Sequence, residues 1–438
     1  MLEFLSEKIV TSILPFVLVL VGGILWVTLR FFPIVRLKTV LLSLFSKGSS
    51  SSSWRALSVA LAGTLGVGNI VGIAYALKSG GAGAIFWMWV SSLFAMILKY
   101  GETVLAMLHR QKHRERGKTS LGADETYVGG AMYYIPSRTL AAAFAALCIA
   151  SSFTVGNLLG TSAATDALTA SLPISAYAVG ILLAALTFLV TFRGIKKITD
   201  FCSATIPFLS LVYLLMCAAV LFFNRALLPS LLTRIVTEAF SMKAFASGST
   251  GSVFFHALRE GFSKGLVTNE AGCGTAPIAH ASSSSESAVR QGFLGIVEVF
   301  FDTVVLCTAS ALVILPTLDR NPSLDGYSLV LEAFSAVFGR LAAPLLSVLI
   351  FFFVLATLVG WSYYGKTALA YLSDRKAYLS LYLLLFSLVA FLGAIGKASV
   401  FWTLADLTLG LMTLINVWYL FRFRGEIADE TERFFQKR

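Results

Sequence analysis

Apolar stretches of about twenty residues recur along the whole chain, separated by short polar connections. A stretch of that length crosses the hydrocarbon core of a bilayer as one helix. Hydrophobic residues make up 57% of the sequence and charged residues 13%, far from the averages of soluble proteins. The chain is therefore expected to be an all-α polytopic membrane protein with about 11 transmembrane helices. Spans are expected at 9–31, 54–77, 82–108, 139–168, 173–192, 198–223, 231–268, 288–315, 341–370, 377–396 and 399–421. Residues 33–47 alternate basic and apolar positions, as a helix lying on the membrane surface would. Glu3 and Glu7 precede the first span and no basic segment does, so that span reads as retained and not as a cleaved signal peptide.

The formal net charge of +11 follows from the loops and does not point to nucleic acid. Arg30, Arg36, Lys38, Lys47 and Arg55 follow the first span; Arg110, Lys112, Arg114, Arg116 and Lys118 follow the third; Arg193, Lys196 and Lys197 follow the fifth. The tail carries Arg422, Arg424, Arg433, Lys437 and Arg438, and the alternate loops are poor in such residues. Basic loops stay cytoplasmic, so the N-terminus is expected outside and the C-terminus in the cytoplasm of a plasma (inner) membrane. The cysteines are scattered without metal-ligand or disulfide spacing and the four histidines form no cluster, so no metal site or cofactor is expected.

One span cannot be an ordinary helix. Gly63-Thr-Leu-Gly-Val-Gly-Asn-Ile-Val-Gly72 places four glycines inside an apolar segment. Glycine weakens a helix by about 1 kcal/mol relative to alanine, and unwound backbone survives in a membrane only where it is buried in protein or lines a cavity. The segment reads as a discontinuous helix, or else as a small-residue packing face. Thr64 and Asn69 bring polar side chains to the same place. A second interruption is expected at Gly248-Ser-Thr-Gly251. With the first span set aside, each interruption opens a group of five spans, and the two groups begin on opposite sides. That is the pattern of an inverted repeat with its binding site at the breaks. The corresponding divisions are 1–48 (extra span and surface helix), 49–224 and 225–423 (the two five-helix repeats) and 424–438 (tail).

Open helix ends offer N–H groups to a carboxylate and carbonyls to a cation, and an amino acid carries both charges. Asn69 would hydrogen-bond such a ligand, cap the broken helix, or do both. Thr357 and Trp361 share a helix face: a hydroxyl suits a hard cation, and an indole can wall a pocket, while the alternative is a back-bonded threonine and an interfacial tryptophan. Glu298, Asp302 and Asp406 fall inside apolar spans, where a carboxylate is either functional or a hydrogen-bonded structural group. Asp302, with Lys99 and Glu102, is a candidate for proton binding or gating. Thr268–His280 reads as a polar, glycine-rich cytoplasmic connection without a phosphate-loop signature, and Ser282–Ser285 as linker. No nucleophile–base arrangement suggests an enzyme.

At these residues the chain resembles the alanine/glycine:cation symporter family of the amino acid–polyamine–organocation superfamily. The stretches that carry the likeness are GTLGVGNIVGIA (63–74), GAIFWMWVSSLFAMILKYGE (83–102), GGAMYYI (129–135), GLVTNEAGCGTAPIAHA (265–281), RQGFLGIVEVFFDTVVLCTASALVI (290–314) and GWSYYG (360–365). The resemblance implies a leucine-transporter-type 5+5 inverted repeat with two broken helices, and sodium-driven uptake of small neutral amino acids by alternating access. It implies that N–H groups near Val67 and Gly68, with Thr64, Gly66 and Asn69, meet the substrate, that Gly248 and Gly251 supply the rest, and that Trp361 closes the pocket. It implies that carbonyls of Ala62 and Leu65 hold sodium together with Thr357. Two departures stand out. Where the family often has glutamine the chain has Gly160, which would leave room for larger side chains. Where the family tends to pair two hydroxyl residues the chain has Ala356 before Thr357. A proton-coupled transporter of another amino acid, or an amino acid sensor on the same scaffold, is the alternative. The partners expected are the substrate and the lipid bilayer, with the chain a monomer.

Overall fold

The computed structural model describes residues 13–44, 51–113, 126–241, 253–396 and 398–436. Helix α1 (Leu14–Thr28) is followed by α2 (Leu37–Leu44), within the segment expected at the surface. The interrupted span comes next: α3 (Ser51–Thr64), a π-helical turn over Gly68–Gly72, and α4 (Ile73–Gly80), with a 54° bend at the break. Then come α5 (Gly83–Leu108), a small antiparallel hairpin pairing Gln111–His113 with Thr126–Val128, and α6 (Arg138–Phe153). Helix α6 runs through a π turn at Thr154–Leu159 into α7 (Gly160–Ser171), and α8 (Ala176–Thr191) and α9 (Ile195–Phe223) follow. The second part holds α10 (Leu228–Ala239), α11 (Val253–Asn269) and α12 (Ala276–Ala281). Helix α13 (Ala288–Val299) continues through a π segment, Phe300–Cys307, into α14 (Thr308–Arg320). The chain closes with α15 (Gly326–Phe338), α16 (Ala342–Leu372), α17 (Lys376–Ile395), α18 (Ala398–Arg422) and α19 (Arg424–Gln436).

Among the described residues, seven helices are long and apolar enough to cross a membrane, or eight if the bent α3–α4 pair is one span. Helices α1 and α8 are apolar but shorter. The count differs from the eleven expected chiefly at 231–268. The described residues of that segment form two helices, α10 and α11, which carry Arg234, Glu238, Arg259, Glu260 and Lys264. The interruption expected at Gly248–Gly251 lies outside the described residues.

Helix α5 is the centre of the bundle and packs on α11, α13 and α1. Small residues set the spacing: a Cβ at Gly261 of α11 would stand 2.4 Å from the Ala84 carbonyl oxygen, and one at Gly265 would stand 2.2 Å from Ser91 Oγ. Lipid offers no hydrophobic drive between helices, so close backbone approach of this kind supplies much of the packing energy. Where α-helical turns start in water-accessible positions, serines cap them: Ser137 Oγ accepts from Leu140 N at 3.4 Å and Ser175 Oγ from Ala178 N at 3.3 Å.

Candidate functional site at two adjacent helix breaks

The first break is held by its own asparagine. Asn69 is 3% exposed, and its Oδ1 accepts from Gly66 N at 3.1 Å, satisfying a donor that the bend leaves over. Its Nδ2 donates to Asp302 Oδ1 at 2.8 Å, on the π segment that follows α13. The capping role is thus the one observed for Asn69, and its amide is engaged on both sides by protein. Asp302 is buried, and Thr303 Oγ1 donates to its Oδ2 at 2.9 Å. Ser310 Oγ of α14 donates to the Asn69 carbonyl at 2.7 Å and shares a 2.7 Å hydrogen bond with Tyr213 OH of α9.

A second break lies directly beside the first. Helix α11 ends at Asn269, and the chain turns through Glu270–Thr275 before α12. Glu270, Gly272 and Gly274 take φ of 50°, 81° and 78°, a left-handed turn that suits glycine at two of the three positions. Residues 268–281 are buried where their burial is described, so the polar connection expected there is a break packed inside the bundle. Its polarity reflects the needs of an unwound backbone inside the bundle, not contact with water. Asn269 works as Asn69 does: its Oδ1 accepts from Ala271 N at 3.0 Å, and its Nδ2 donates to Thr303 Oγ1 at 3.1 Å. A continuous path of hydrogen bonds, Gly66–Asn69–Asp302–Thr303–Asn269–Ala271, therefore joins the two breaks. Helix α4 packs on α11 and α3 on α12, so the two broken helices run antiparallel.

The other expected residues gather around the first break. Thr357 Oγ1 donates to Phe353 O at 3.0 Å and lies 3.4 Å from Leu65 O, so a hydroxyl and a carbonyl of the expected sodium set stand together. Ala62 and Ala356 are fully buried. Trp361 is 0% exposed, which removes the interfacial alternative, and its Nε1 donates to Gly63 O at 3.3 Å. A Cβ at Gly66 would stand 3.2 Å from Thr357 Oγ1, whereas one at Gly68 would meet only Thr268 Cγ2, at 4.0 Å. Thr64 is buried and Val67 half-buried. Gly160 faces Val354 at 3.5 Å, an ordinary contact with α16. A cavity of about 10 Å³ beside the break is lined by Gly66, Asn69, Tyr213, Leu306 and Phe353, room for about one water. Asp406 is half-buried on α18.

Two residues carry more than the sequence suggested. Gly156 lies against Trp361: a Cβ there would fall 2.1 Å from the indole Cγ, so the tryptophan can sit flat only over glycine. Asn269 sits in a stretch whose composition is that of a loop; the sequence signal for its role is its likeness to Asn69, a short amide followed by glycines at 272 and 274. Glu298 belongs with Lys99 and Glu102 in a buried group near the second break, with Glu298 Oε1 3.3 Å and Glu102 Oε1 3.8 Å from Lys99 Nζ.

Both ends of the bundle are tied by polar contacts. At the arginine-rich end, Arg110 donates to the carbonyls of Ser283 and Ser285, the latter at 2.6 Å, and stacks on Tyr127. Ser53 and Ser283 share a 3.1 Å hydrogen bond. At the opposite end Lys78 Nζ donates to Pro322 O and Leu324 O at 2.8 and 2.9 Å, and Ser79 Oγ to Glu260 Oε2 at 2.9 Å.

Residues 1–438 match the profile of the sodium:alanine symporter family. The "Sodium/alanine symporter AgcS" of Methanococcus maripaludis is 33% identical over 96% of this chain and 94% of its own length. The "Probable sodium/glutamine symporter GlnT" of Bacillus subtilis is 30% identical over 95% and 87% respectively. Among solved structures, a Na+-coupled sialic acid symporter in a substrate-bound outward-open state has a TM-score of 0.54 at 12% identity, covering 98% of this chain and 86% of that one. At that identity the likeness speaks for the fold alone.

Proposed function

Because the chain belongs to the sodium:alanine symporter family, and is a membrane transporter and not an enzyme, we propose that it imports small neutral amino acids across the plasma membrane by sodium-coupled alternating access. The observation that carries this reading is the placement of two unwound backbone segments, 65–67 and 270–275, side by side within the bundle. Unwound ends there can meet an ammonium and a carboxylate at once, which an apolar helix pair cannot.

In this reading the N–H groups near Val67 and Gly68 receive the substrate carboxylate, with Thr64 and Gly66 beside them. Asn69 holds the shape of the break beside them. The turn at 270–275 supplies backbone groups on the other side of the substrate. Trp361, fixed by Gly63 and seated on Gly156, forms the floor. The sodium ion, as cotransported cargo, takes the carbonyls of Ala62 and Leu65 and the hydroxyl of Thr357; oxygen ligands of this kind suit a hard cation. Ala356 contributes no oxygen. Residues 49–224 and 225–423 form the two halves of a five-plus-five inverted repeat, with the N-terminus outside, the tail in the cytoplasm and the chain acting as a monomer.

The absence of a side chain at Gly160 leaves room for substrates larger than alanine, and a relative named for glutamine fits that breadth. The test is competition against labelled alanine in proteoliposomes, over a panel from glycine to glutamine, with sodium and with potassium. Sodium-dependent competition by small neutral amino acids is expected; displacement by none of them would refute the assignment.

A further inference from the structure

Near the second break, one ammonium faces three carboxylates in a sealed space. Lys99, Glu102, Glu298 and Glu270 are 0%, 0%, 1% and 4% exposed. Lys99 Nζ stands 3.3 Å from Glu298 Oε1 and 3.8 Å from Glu102 Oε1. Glu298 Oε2 also accepts from His280 Nε2 at 3.0 Å, and the Gln291 amide shares a 2.8 Å hydrogen bond with His280 Nδ1. Glu270 Oε2 accepts from Thr275 Oγ1 at 2.8 Å. Glu102 Oε2 accepts from Gly274 N at 3.1 Å and from Asn416 Nδ2 at 2.9 Å. Its other oxygen, Oε1, is buried and has no hydrogen-bond donor.

The groups facing Glu102 from each packed element can be named. They are Lys99 on its own helix, Glu298 on α13 with His280 of α12 behind it, and Glu270 and the Cys273 thiol in the turn. Asn416 on α18 completes them, with the Tyr134 phenol donating to its amide oxygen. Asp302 lies one turn beyond Glu298. Lys99 is the one permanently charged cation among these groups, against three carboxylates. Buried carboxylates without a compensating cation take a proton in preference to remaining charged. Neither Glu298 Oε1 nor Glu102 Oε1 has a hydrogen-bond donor, and Glu102 Oε1 stands farther from the ammonium, at 3.8 Å against 3.3 Å.

We propose that this cluster is a proton-binding site linked to opening of the arginine-rich end of the bundle. While α12 is packed against α3, Glu102 Oε1 holds a proton. When that end opens, water enters, the carboxylate becomes cheap to ionise, and the proton passes from Oε1 to water. Reclosing takes one proton back, and no other bond changes. The proposal rests on the alternating-access reading, since an opening is what hydrates the cluster.

Cys273 is a built-in reporter. It lies in the same turn, is 3% exposed, and its sulfur accepts from Thr413 Oγ1 at 3.1 Å. In wild-type protein in lipid nanodiscs, modification of Cys273 by an uncharged maleimide is followed by mass spectrometry from about pH 5.5 to 8.5, with neither sodium nor amino acid added. Each rate is divided by that of the denatured protein at the same pH, which removes ionisation of the thiol. The closed form binds one proton more than the open form, so the normalised rate should rise with pH, by up to about tenfold per unit. Glu102→Gln should flatten the slope, and Glu102→Asp, which keeps a titrating group, should retain it. A flat wild-type profile overturns the proposal whatever the variants do. So does a slope that survives in monodisperse Glu102→Gln, or one lost in monodisperse Glu102→Asp. The readout needs no transport, so a failure of the amino acid assignment would show separately, in uptake.

Discussion

Asn69 Nδ2 donates to Asp302 Oδ1 at 2.8 Å, and this contact fastens the first helix break to the helix that also supports the second. The carboxylate has no basic partner among its hydrogen bonds; it accepts from one amide, Asn69, and one hydroxyl, Thr303, which in turn accepts from Asn269. Replacing Asn69 by alanine leaves Gly66 N and Asp302 Oδ1 without their partner. A lost cap costs about 1 kcal/mol, and an orphaned buried group roughly 1–3 kcal/mol more. Asn69→Ala should therefore lower the thermal midpoint of the purified protein and weaken amino acid binding. Asp302→Ala should do the same, and the double variant should cost less than the sum, because the two residues share one contact. Additive losses would show that they act separately.

Gly156 and Gly160 are one turn apart and should respond in opposite ways. Gly156→Ala sets a methyl 2.1 Å from the Trp361 ring, so the tryptophan must move. Overpacking of this kind costs typically 1–3 kcal/mol, and intrinsic fluorescence should report the displaced indole. Gly160→Ala meets Val354 only at 3.5 Å and should fold normally. Gly160→Gln should shift the competition ranking toward glycine and alanine; an unaltered ranking in well-folded protein would remove residue 160 from the pocket.

Gly68→Leu should abolish amino acid binding while leaving the protein folded. A Cβ at 68 meets only the Thr268 methyl, at 4.0 Å, so nothing in the packing forbids a side chain there. The loss would come from occupying the space of the ligand. Tryptophan fluorescence and size-exclusion profile verify the fold, and equilibrium binding supplies the outcome. Normal binding in this variant would place the site elsewhere.

Ala356→Thr should restore a second hydroxyl beside Thr357 and lower the sodium concentration for half-maximal uptake. Thr357→Ala should raise it, since Thr357 Oγ1 stands 3.4 Å from Leu65 O. Both follow from sodium-dependent uptake curves at fixed amino acid. Unchanged curves in both variants would move the ion away from α16.

The sequence disclosed the first break because four glycines together with the polar Thr64 and Asn69 interrupt an otherwise apolar span. The second break stayed hidden for the opposite reason. Its glycines follow Arg259, Glu260 and Lys264 and precede a serine run, so by composition the segment from Thr268 to His280 read as a polar connection between two spans. Only tertiary packing, with α12 against α3 and α5, takes that backbone inside. Trp361 was legible as a residue near mid-span, but its seat on Gly156 depends on how α6 and α16 cross, which residue spacing does not encode. Likewise Lys99 and Glu102 could be paired from their spacing on one helix, whereas Glu270, His280 and Glu298 join them only through the fold.

Sodium coupling at the paired breaks is tested most directly by a time course of alanine uptake into proteoliposomes under an imposed inward sodium gradient, against the same vesicles with sodium equal on both sides. The account predicts transient accumulation of alanine above the external concentration with the gradient, decaying as the gradient runs down, and simple equilibration without it. Equal time courses in the two conditions would contradict it.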